Sequence, residues 1–330
     1  MNAVILAGGF GSRLQPLTDT VPKPLLPVAN VPMMDYSLAH LSAFGIRNVV
    51  LTLGYKAEQI IEWTTGYRSL VSHFLIEDVP LGTAGGVKAA QNFLDDRFIV
   101  LSGDALENVD FDAMLRNHVQ SGKLATMAVT RVADPRQFGV VEYDESGVVI
   151  ALTEKPPSFT GDSAMVNCGV YILERAALRN VPNGIPFDFS RDLFPQFIKD
   201  GQLGVYEHDG YWSDLGTPNA YFDANFRVLR GGFFAPLFNR YRDISHFFGQ
   251  ENPSLVSYSA TVTGHIEGCI VAQNAFVASG ASLHECIVLP DAIAEGRHSC
   301  EIIGGDFALS VQSLPPPIKT RNFAGIRTNT

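Results

Sequence analysis

Short apolar runs recur in the first part of the chain, at residues 4–6, 49–53 and 98–101. In three other segments, residues 34–44, 57–65 and 84–93, apolar side chains recur at the spacing of a helix. Strands that are apolar on both faces are typical of parallel sheets with helices packed on each side. The first 105 residues therefore predict an open α/β sheet, and ligands of such sheets bind beyond the carboxyl ends of the strands.

The pattern changes after residue 124, where segments 125–129 and 139–143 alternate apolar and polar residues. Alternation is typical of strands with one solvated face, so we predict a mixed or antiparallel extension of the same sheet. Two further helical segments, 190–199 and 218–229, are expected to end this first domain.

The domain organisation follows from these patterns. We assign residues 1–230 to the first domain, and we interpret the aromatic-rich residues 231–255 as a linker between domains. Residues 256–330 carry a six-residue repeat and a tail. One row of the repeat is Val271, Val277, Leu283 and Leu289, and a second row is Cys269, Ala275, Ala281, Ile287 and Ile293.

This repeat predicts a short C-terminal left-handed parallel β-helix, because each flat face of such a coil contributes one inward aliphatic side chain. Three hexads make one coil, so about two to three coils are expected. A stack of this length is normally an assembly module. We therefore expect a homo-oligomer, a dimer or larger.

Composition limits the partners. The chain has 24 lysines and arginines against 34 acidic residues, a formal charge of −10, which predicts no basic face for nucleic acid. No apolar stretch approaches the roughly 18 residues of a membrane span. The four cysteines have no CxxC spacing, which argues against a zinc site and favours a cytoplasmic location.

A glycine-rich segment, LAGGFGSRL at residues 6–14, directly follows the first strand. Glycines allow backbone amides to approach phosphate groups closely, and Arg13 adds a cation suited to phosphate. A dinucleotide site is the rival interpretation. Leu14 stands where G-x-G-x-x-G has its third glycine, and prolines at 16, 22, 24 and 27 prevent an immediate helix. What remains is a proline-stiffened loop that carries Lys23.

Together, GGFGSRL at residues 8–14 and VPKPLLPV at residues 21–28 resemble the signature of the sugar-1-phosphate nucleotidyltransferase family. The resemblance implies a Rossmann-like domain and an enzyme that joins a nucleoside triphosphate to a sugar 1-phosphate, releasing pyrophosphate. It implies that Arg13 holds the β- and γ-phosphates and Lys23 the α-phosphate region. The nucleotide-binding residues it implies are Leu6, Ala7, Gly8, Gly9, Gly11, Ser12, Arg13, Glu77, Gly82, Thr83 and Gly85.

Further segments resemble the same family in the same order. TEKP at residues 153–156 and NCGVY at residues 167–171 are similar to its sugar-phosphate site. The residues implied there are Gly139, Glu154, Lys155 and Asn167.

Two isolated carboxylates, Asp104 after a buried strand and Asp214 before a helical segment, form a candidate Mg²⁺ pair. Magnesium is usually held by one or two carboxylates plus phosphate oxygens and water. By the resemblance Asp104 joins Arg13 and Lys23 as a catalytic residue. Local capping is the alternative: Asp104 of the turn after its strand, and Asp214 of the helix near Pro218.

The LGTAG segment at residues 81–85 lacks the acidic residue that adenylyl-type relatives tend to show at Gly85. It resembles guanylyltransferases that act on mannose 1-phosphate, so GTP and mannose 1-phosphate are the favoured substrates. Heptose-1-phosphate guanylyl transfer and thymidylyl, uridylyl or adenylyl transfer to glucose 1-phosphate stay open. A non-catalytic regulatory subunit that binds nucleotide sugars is the alternative of another class, although retention of Arg13, Lys23, Asp104, Lys155 and Asp214 argues against it.

Overall fold

A computed structural model describes residues 1–67, 70–231, 244–249 and 252–312. The chain divides into two compact units, of which the first comprises residues 1–26 and 31–216 and the second residues 27–30 and those from 217 onward. Most of the aromatic residues of the linker (Phe233, Phe234, Phe238 and Tyr241) and the tail after 312 lie outside the described residues.

The first unit is built on a nine-stranded mixed sheet. Its strands are β1 (Asn2–Ala7), β2 (Val49–Leu53), β3 (Val71–Ile76), β4 (Arg97–Ser102), β5 (Ala125–Val132), β6 (Gly139–Tyr143), β7 (Val149–Glu154), β8 (Ala164–Glu174) and β9 (Leu203–Glu207). The main path runs β7-β6-β8-β4-β1-β2-β3, and β5 joins β8 to β9. Strands β1 to β4 pair in parallel, and β8 runs antiparallel to β4, β5 and β6, as the change of pattern after residue 124 predicted.

Five α-helices accompany the sheet, and their bounds are α1 (Met33–Ala43), α2 (Ala57–Trp63), α3 (Gly82–Ala89), α4 (Phe111–Ser121) and α5 (Phe194–Lys199). Shorter helical turns are Ser12–Leu14, Lys23–Leu25, Thr64–Tyr67, Gln91–Phe93, Arg175–Asn180 and Phe189–Leu193, and short strands are Val31–Pro32, Leu106–Glu107 and Trp212–Ser213. Successive residues of β1 belong to different apolar clusters, Val4 to one and Ile5 to the other, so the central strand is buried on both faces.

The second unit contains strand Pro27–Val28, helix α6 (Pro218–Gly231) and a short parallel β-helix. Residues 27–30 pack with α6 because Tyr221 donates its hydroxyl hydrogen to Pro27 O and Ala29 N donates to Asn225 Oδ1 at 2.7 Å. The sequence pattern predicts α6 as the last helix of the first domain, whereas α6 belongs to the second unit here, and the domain boundary near residue 230 stays a prediction.

Three sheets form the faces of the β-helix, and within each sheet the strands of successive coils stack on one another. The first consists of Ser245–Phe248, Ser254–Ser257, Ile270–Val271, Ile287–Val288, Glu301–Ile303 and Ala308–Ser310. The second consists of Thr261–Val262, Phe276–Val277 and Ile293–Ala294, and the third of His265–Glu267, Ser282–His284 and Arg297–Ser299. Strands stack in parallel except at the two ends of the first sheet, where residues 245–248 and 308–310 run antiparallel.

The six-residue period holds only for part of the stack. Val271, Val277 and Leu283 of the first row are buried, but Ile293, the last member of the second row, is 59% exposed. The coils are shorter than the 18 residues of three hexads: 15 residues separate Leu255 from its partner Ile270, and 17 separate Ile270 from Ile287, so the second coil shifts the phase by one. Ala292 and Ala294 therefore point inward instead.

Every helix in the described part of the chain is too short or too polar to span a lipid bilayer.

Candidate active site

A cavity of about 320 Å³ opens at the carboxyl ends of the central parallel strands. The register brings Leu6 of β1 beside Thr52 of β2 and Ser102 of β4, and all three residues line the cavity. Its other lining residues are Ala7, Gly8, Gly9, Phe10, Gly11, Lys23, Pro24, Glu77, Pro80, Gly82, Thr83, Asp104 and Asp188. The position agrees with the rule that open α/β sheets bind ligands at this edge.

The glycine-rich loop forms one wall of the cavity. Gly8 packs against Gly54. A methyl group added at Gly54 would lie 2.8 Å from the Gly8 carbonyl oxygen. Gly11 has φ +65°, a left-handed conformation that side chains disfavour, and Thr18 donates a hydrogen bond to its carbonyl oxygen at 3.0 Å. Phe10 is 63% exposed on this wall. Ser12 and Arg13 begin the following helical turn and do not line the cavity.

Lys23 is hydrogen-bonded to both candidate metal ligands, Asp104 and Asp214. Its side chain is only 5% exposed, and Nζ donates to Asp104 Oδ2 at 2.8 Å and to the backbone oxygen of Asp214 at 2.6 Å. A buried ammonium is stable only when its donors are satisfied in this way. The structure therefore brings Lys23, Asp104 and Asp214 together, although they lie far apart in sequence.

The Asp104 carboxylate is 43% exposed and faces the cavity. Burial raises the pKa of Asp104, but the charge and hydrogen bond of Lys23, the Ser102 hydroxyl and the charge of Arg13 outweigh it, so the pKa lies below the usual 3.8. Among the described residues, the Asp104 carboxylate accepts hydrogen bonds from the side chains of Lys23 and Ser102, whereas a turn cap would accept from backbone amides.

Asp214 pairs with Arg13 at 3.5 Å through Oδ2, and its Oδ1 accepts from Gly216 N at 3.1 Å. Helix α6 is capped instead by Thr217, whose Oγ1 accepts from Ala220 N at 3.2 Å. The helix-capping alternative for Asp214 is therefore not what the structure has.

Among the described residues, no group of three or more His, Cys, Asp or Glu side chains is arranged to hold a metal ion. Two carboxylates that leave most positions to phosphate and water nevertheless fit Mg²⁺, which is usually bound with the substrate rather than in an all-protein cage. Asp104 and Asp214 are the residues that would hold it.

Glu77, Gly82 and Thr83 form the wall of the cavity beyond β2 and β3. Burial raises the pKa of Glu77, partly offset by the hydrogen bond that its Oε2 accepts from Leu81 N at 2.9 Å. Gly82 has φ +70°, and a methyl group there would lie 2.7 Å from Phe187 O. Gly85 differs from the expectation: it does not line the cavity, and its N–H donates to Phe187 O at 2.9 Å.

Of the expected sugar-phosphate residues, Gly139, Glu154 and Asn167 lie on β6, β7 and β8, and Lys155 directly follows β7. Glu154 pairs with Gly139, where a methyl group would lie 2.9 Å from Glu154 Oε2 and 3.7 Å from Asn167 Cβ. Lys155 Nζ is 3.8 Å from Glu154 Oε1. Asn167 donates to the Tyr171 hydroxyl at 2.8 Å. None of the four lines the cavity itself.

Sequence reasoning missed Asp188, which lines the cavity beside Thr83. Its Oδ1 accepts from Ser190 N at 2.9 Å, the pattern of an N-cap, and the Asp-x-Ser start of a helical segment was the available signal. That signal indicates a helix end and gives no hint of a role in the cavity.

A profile of the nucleotidyl transferase family matches residues 2–231, and the chain belongs to this family. A Danio rerio mannose-1-phosphate guanylyltransferase catalytic subunit beta is 38% identical over 66% of this chain and 62% of its own length. The match thus spans less than two thirds of that relative. A mannose-1-phosphate guanylyltransferase from Mycobacterium tuberculosis is 33% identical over 80% of this chain and 75% of the relative.

Solved structures share the fold of about two thirds of this chain. HddC from Yersinia pseudotuberculosis is 29% identical, with a TM-score of 0.61 over 69% of this chain and 99% of HddC. The same protein complexed with GMP-PN matches with a TM-score of 0.60.

Proposed function

We propose that this chain transfers a guanylyl group from GTP to mannose 1-phosphate, forming GDP-mannose and pyrophosphate. The observation that carries the proposal is the buried Lys23 ammonium, which contacts both Asp104 and Asp214 beneath the glycine-rich loop. Such a set suits a reaction in which negative phosphate groups must be brought together. Relatives named mannose-1-phosphate guanylyltransferase support the choice of substrates.

The proposed reaction is in-line attack by a phosphate oxygen of the sugar phosphate on the α-phosphorus of GTP. That oxygen is already ionised at neutral pH, so catalysis falls to positioning and charge neutralisation. Lys23 would contact the α-phosphate, Arg13 the β- and γ-phosphates, and Gly8, Gly9 and Gly11 would present backbone to them. Mg²⁺ held by Asp104 and Asp214 would neutralise charge on the phosphate oxygens.

Guanine is favoured by the chemistry of Glu77. A carboxylate accepts hydrogen bonds, and guanine presents two adjacent donors, N1–H and N2–H₂, on one edge. The raised pKa of Glu77 reflects burial that such donors would offset on binding. The HddC structure complexed with GMP-PN supports a guanine nucleotide in this fold. The sugar phosphate would lie at Gly139, Glu154, Lys155 and Asn167.

The remaining organisation is proposed with the same activity. The family match to residues 2–231 supports a catalytic domain of residues 1–230, followed by linker 231–255 and repeat domain 256–330. Four free cysteines support a cytoplasmic location. The repeat stack supports a homo-oligomer, which light scattering of the purified protein would test.

Pyrophosphate release tests the activity, measured with Mg²⁺ across GTP, dTTP, UTP and ATP, each with mannose, glucose or heptose 1-phosphate. A dominant signal from GTP and mannose 1-phosphate is expected. Another dominant pair would contradict the substrates and leave the reaction class standing. No release from any pair, in folded protein that binds GDP-mannose, would favour the regulatory-subunit alternative.

A further inference from the structure

Residues 81–85 are Leu81 and the first turn of α3, called here the loop at 81–85, and they are hydrogen-bonded to a distant segment, residues 187–189. Phe187 N donates to Leu81 O at 2.8 Å, and Gly85 N donates to Phe187 O at 2.9 Å. Gly82 approaches the same carbonyl group so closely that a side chain there would collide with it. Gly82 and Thr83 of this loop line the cavity. The backbone of Phe187 therefore supports the loop from Leu81 to Gly85.

Thr83 closes this attachment with its side chain. Its hydroxyl donates to Asp188 Oδ2 at 2.8 Å and accepts from Phe189 N at 2.9 Å. Both hydrogen-bonding roles are thus used within the protein. Thr83 lines the cavity, yet its hydroxyl is engaged in holding the loop rather than turned to a ligand.

Asp188 is in turn fixed on its other side. Oδ1 accepts from Ser190 N at 2.9 Å and from Arg191 N at 3.2 Å, so the carboxylate caps the turn at Phe189–Leu193. Phe189 and Leu193 are buried in the apolar core of the sheet. One carboxylate therefore connects the cavity wall to the core.

We propose that Asp188 is a positioning residue that acts through Thr83 to hold the loop at 81–85 in its binding form, and that it thereby sets affinity and selectivity for the nucleotide base. The inference rests on the proposed function, in which this loop contacts the base. A loop ordered in advance costs no conformational entropy at binding, whereas a released loop must be ordered by the nucleotide itself. Release of the loop lowers the binding affinity of other bases less than that of the preferred base, because they make fewer contacts with the ordered loop.

Three substitutions and a matched control test the assignment. Asp188→Asn places an amide nitrogen or a weaker acceptor opposite the Thr83 hydroxyl, and Thr83→Val removes that hydroxyl. Thr83→Ser keeps it. The control is Asp192→Asn, because Asp192 Oδ2 accepts from Asp188 N at 2.7 Å in the same turn and the change removes the same charge without touching the loop.

Titration calorimetry of GTP, with no sugar phosphate present, and steady-state kinetics give the first readout. We expect Asp188→Asn and Thr83→Val to weaken GTP binding about tenfold, the loss of one charge-assisted hydrogen bond. KM for the sugar phosphate should change less than twofold, preference for GTP over dTTP should fall, and Thr83→Ser should restore most of the affinity lost in Thr83→Val. Unchanged GTP affinity in both variants, or an equal loss in Asp192→Asn, would overturn the assignment.

Hydrogen exchange of the ligand-free protein separates this proposal from the proposed function. Amides of residues 81–85 should exchange at least about tenfold faster in Asp188→Asn than in wild type or Asp192→Asn, because release of the loop exposes the Gly85 N–H. That result stands even if no nucleotide binds the wild-type protein, an outcome that would contradict only the proposed substrate. Unchanged exchange of these amides would refute the positioning role whatever the nucleotide.

Discussion

Replacing Lys23 with methionine removes the charge that the site is built around while keeping an unbranched side chain of similar length. The ammonium makes two hydrogen bonds, to Asp104 Oδ2 and to Asp214 O, and its side chain is 5% exposed. Hydrogen bonds to charged groups contribute about 1.5–3 kcal/mol each. Since Asp104 is 43% exposed, water replaces part of what is lost, and we expect the free energy of unfolding to fall by only about 2 kcal/mol.

The catalytic effect of Lys23→Met should be larger than the effect on stability. A preorganised donor aimed at charge that develops in the transition state contributes about 10²–10³ in kcat. Pyrophosphate release would be measured with saturating GTP, mannose 1-phosphate and Mg²⁺, well below the unfolding temperature. Lys56→Met is the matched control, because Lys56 Nζ donates to Asp19 O beside the same loop and contacts neither aspartate. A kcat within threefold of wild type, or an equal loss in the control, would refute the role given to Lys23.

The other predictions concern the metal, the repeat stack and pH. Asp104→Asn should abolish Mg²⁺-dependent turnover in folded protein, and an unchanged Mg²⁺ titration would remove Asp104 as a ligand. Gly264→Ala should destabilise the second unit by about 1–3 kcal/mol, since its methyl group would lie 2.4 Å from a backbone carbonyl oxygen, whereas Gly280→Ala meets nothing within 4 Å; equal urea midpoints would contradict this. Burial lowers the pKa of His118 below 6.5, so the unfolded chain takes up a proton first and stability falls as pH drops below about 6.5. His118→Gln should flatten that loss in urea unfolding between about pH 7 and 5, and an unaltered slope would count against it.

Sequence patterns predicted the sheet well because burial on both faces leaves a visible signature. The run at residues 49–53 is the strand Val49–Leu53, and all five residues are buried. The repeat stack was predicted in kind, but its phase was wrong at Ile293. A coil of 17 residues is set by one shortened turn, and a strict six-residue count cannot register it.

The path of the glycine-rich loop and of the loop that carries Lys23 was predictable for a similar reason. Gly11 has a left-handed conformation, and the prolines on either side of Lys23 stiffen its loop. Both features depend on residues that are neighbours in the sequence. Asp188 could not be found in this way. Its contact with Thr83 spans 105 positions, and its local sequence is fully accounted for as a helix cap. The family resemblance implies Gly85 as a nucleotide-binding residue, whereas in the structure its N–H donates to Phe187 O.

The two antiparallel strands at the ends of the repeat stack, residues 245–248 and 308–310, limit how the stack can grow. The last strand of an uncapped parallel coil exposes unpaired backbone N–H and C=O groups. A coil from another molecule can pair with this open edge and lengthen the stack. A reversed strand cannot be matched by a further parallel coil in register. For the first sheet, a longer stack is therefore better obtained by inserting a whole coil into its interior, such as the 17-residue span from Ile270 to Ile287, than by adding one beyond a reversed strand.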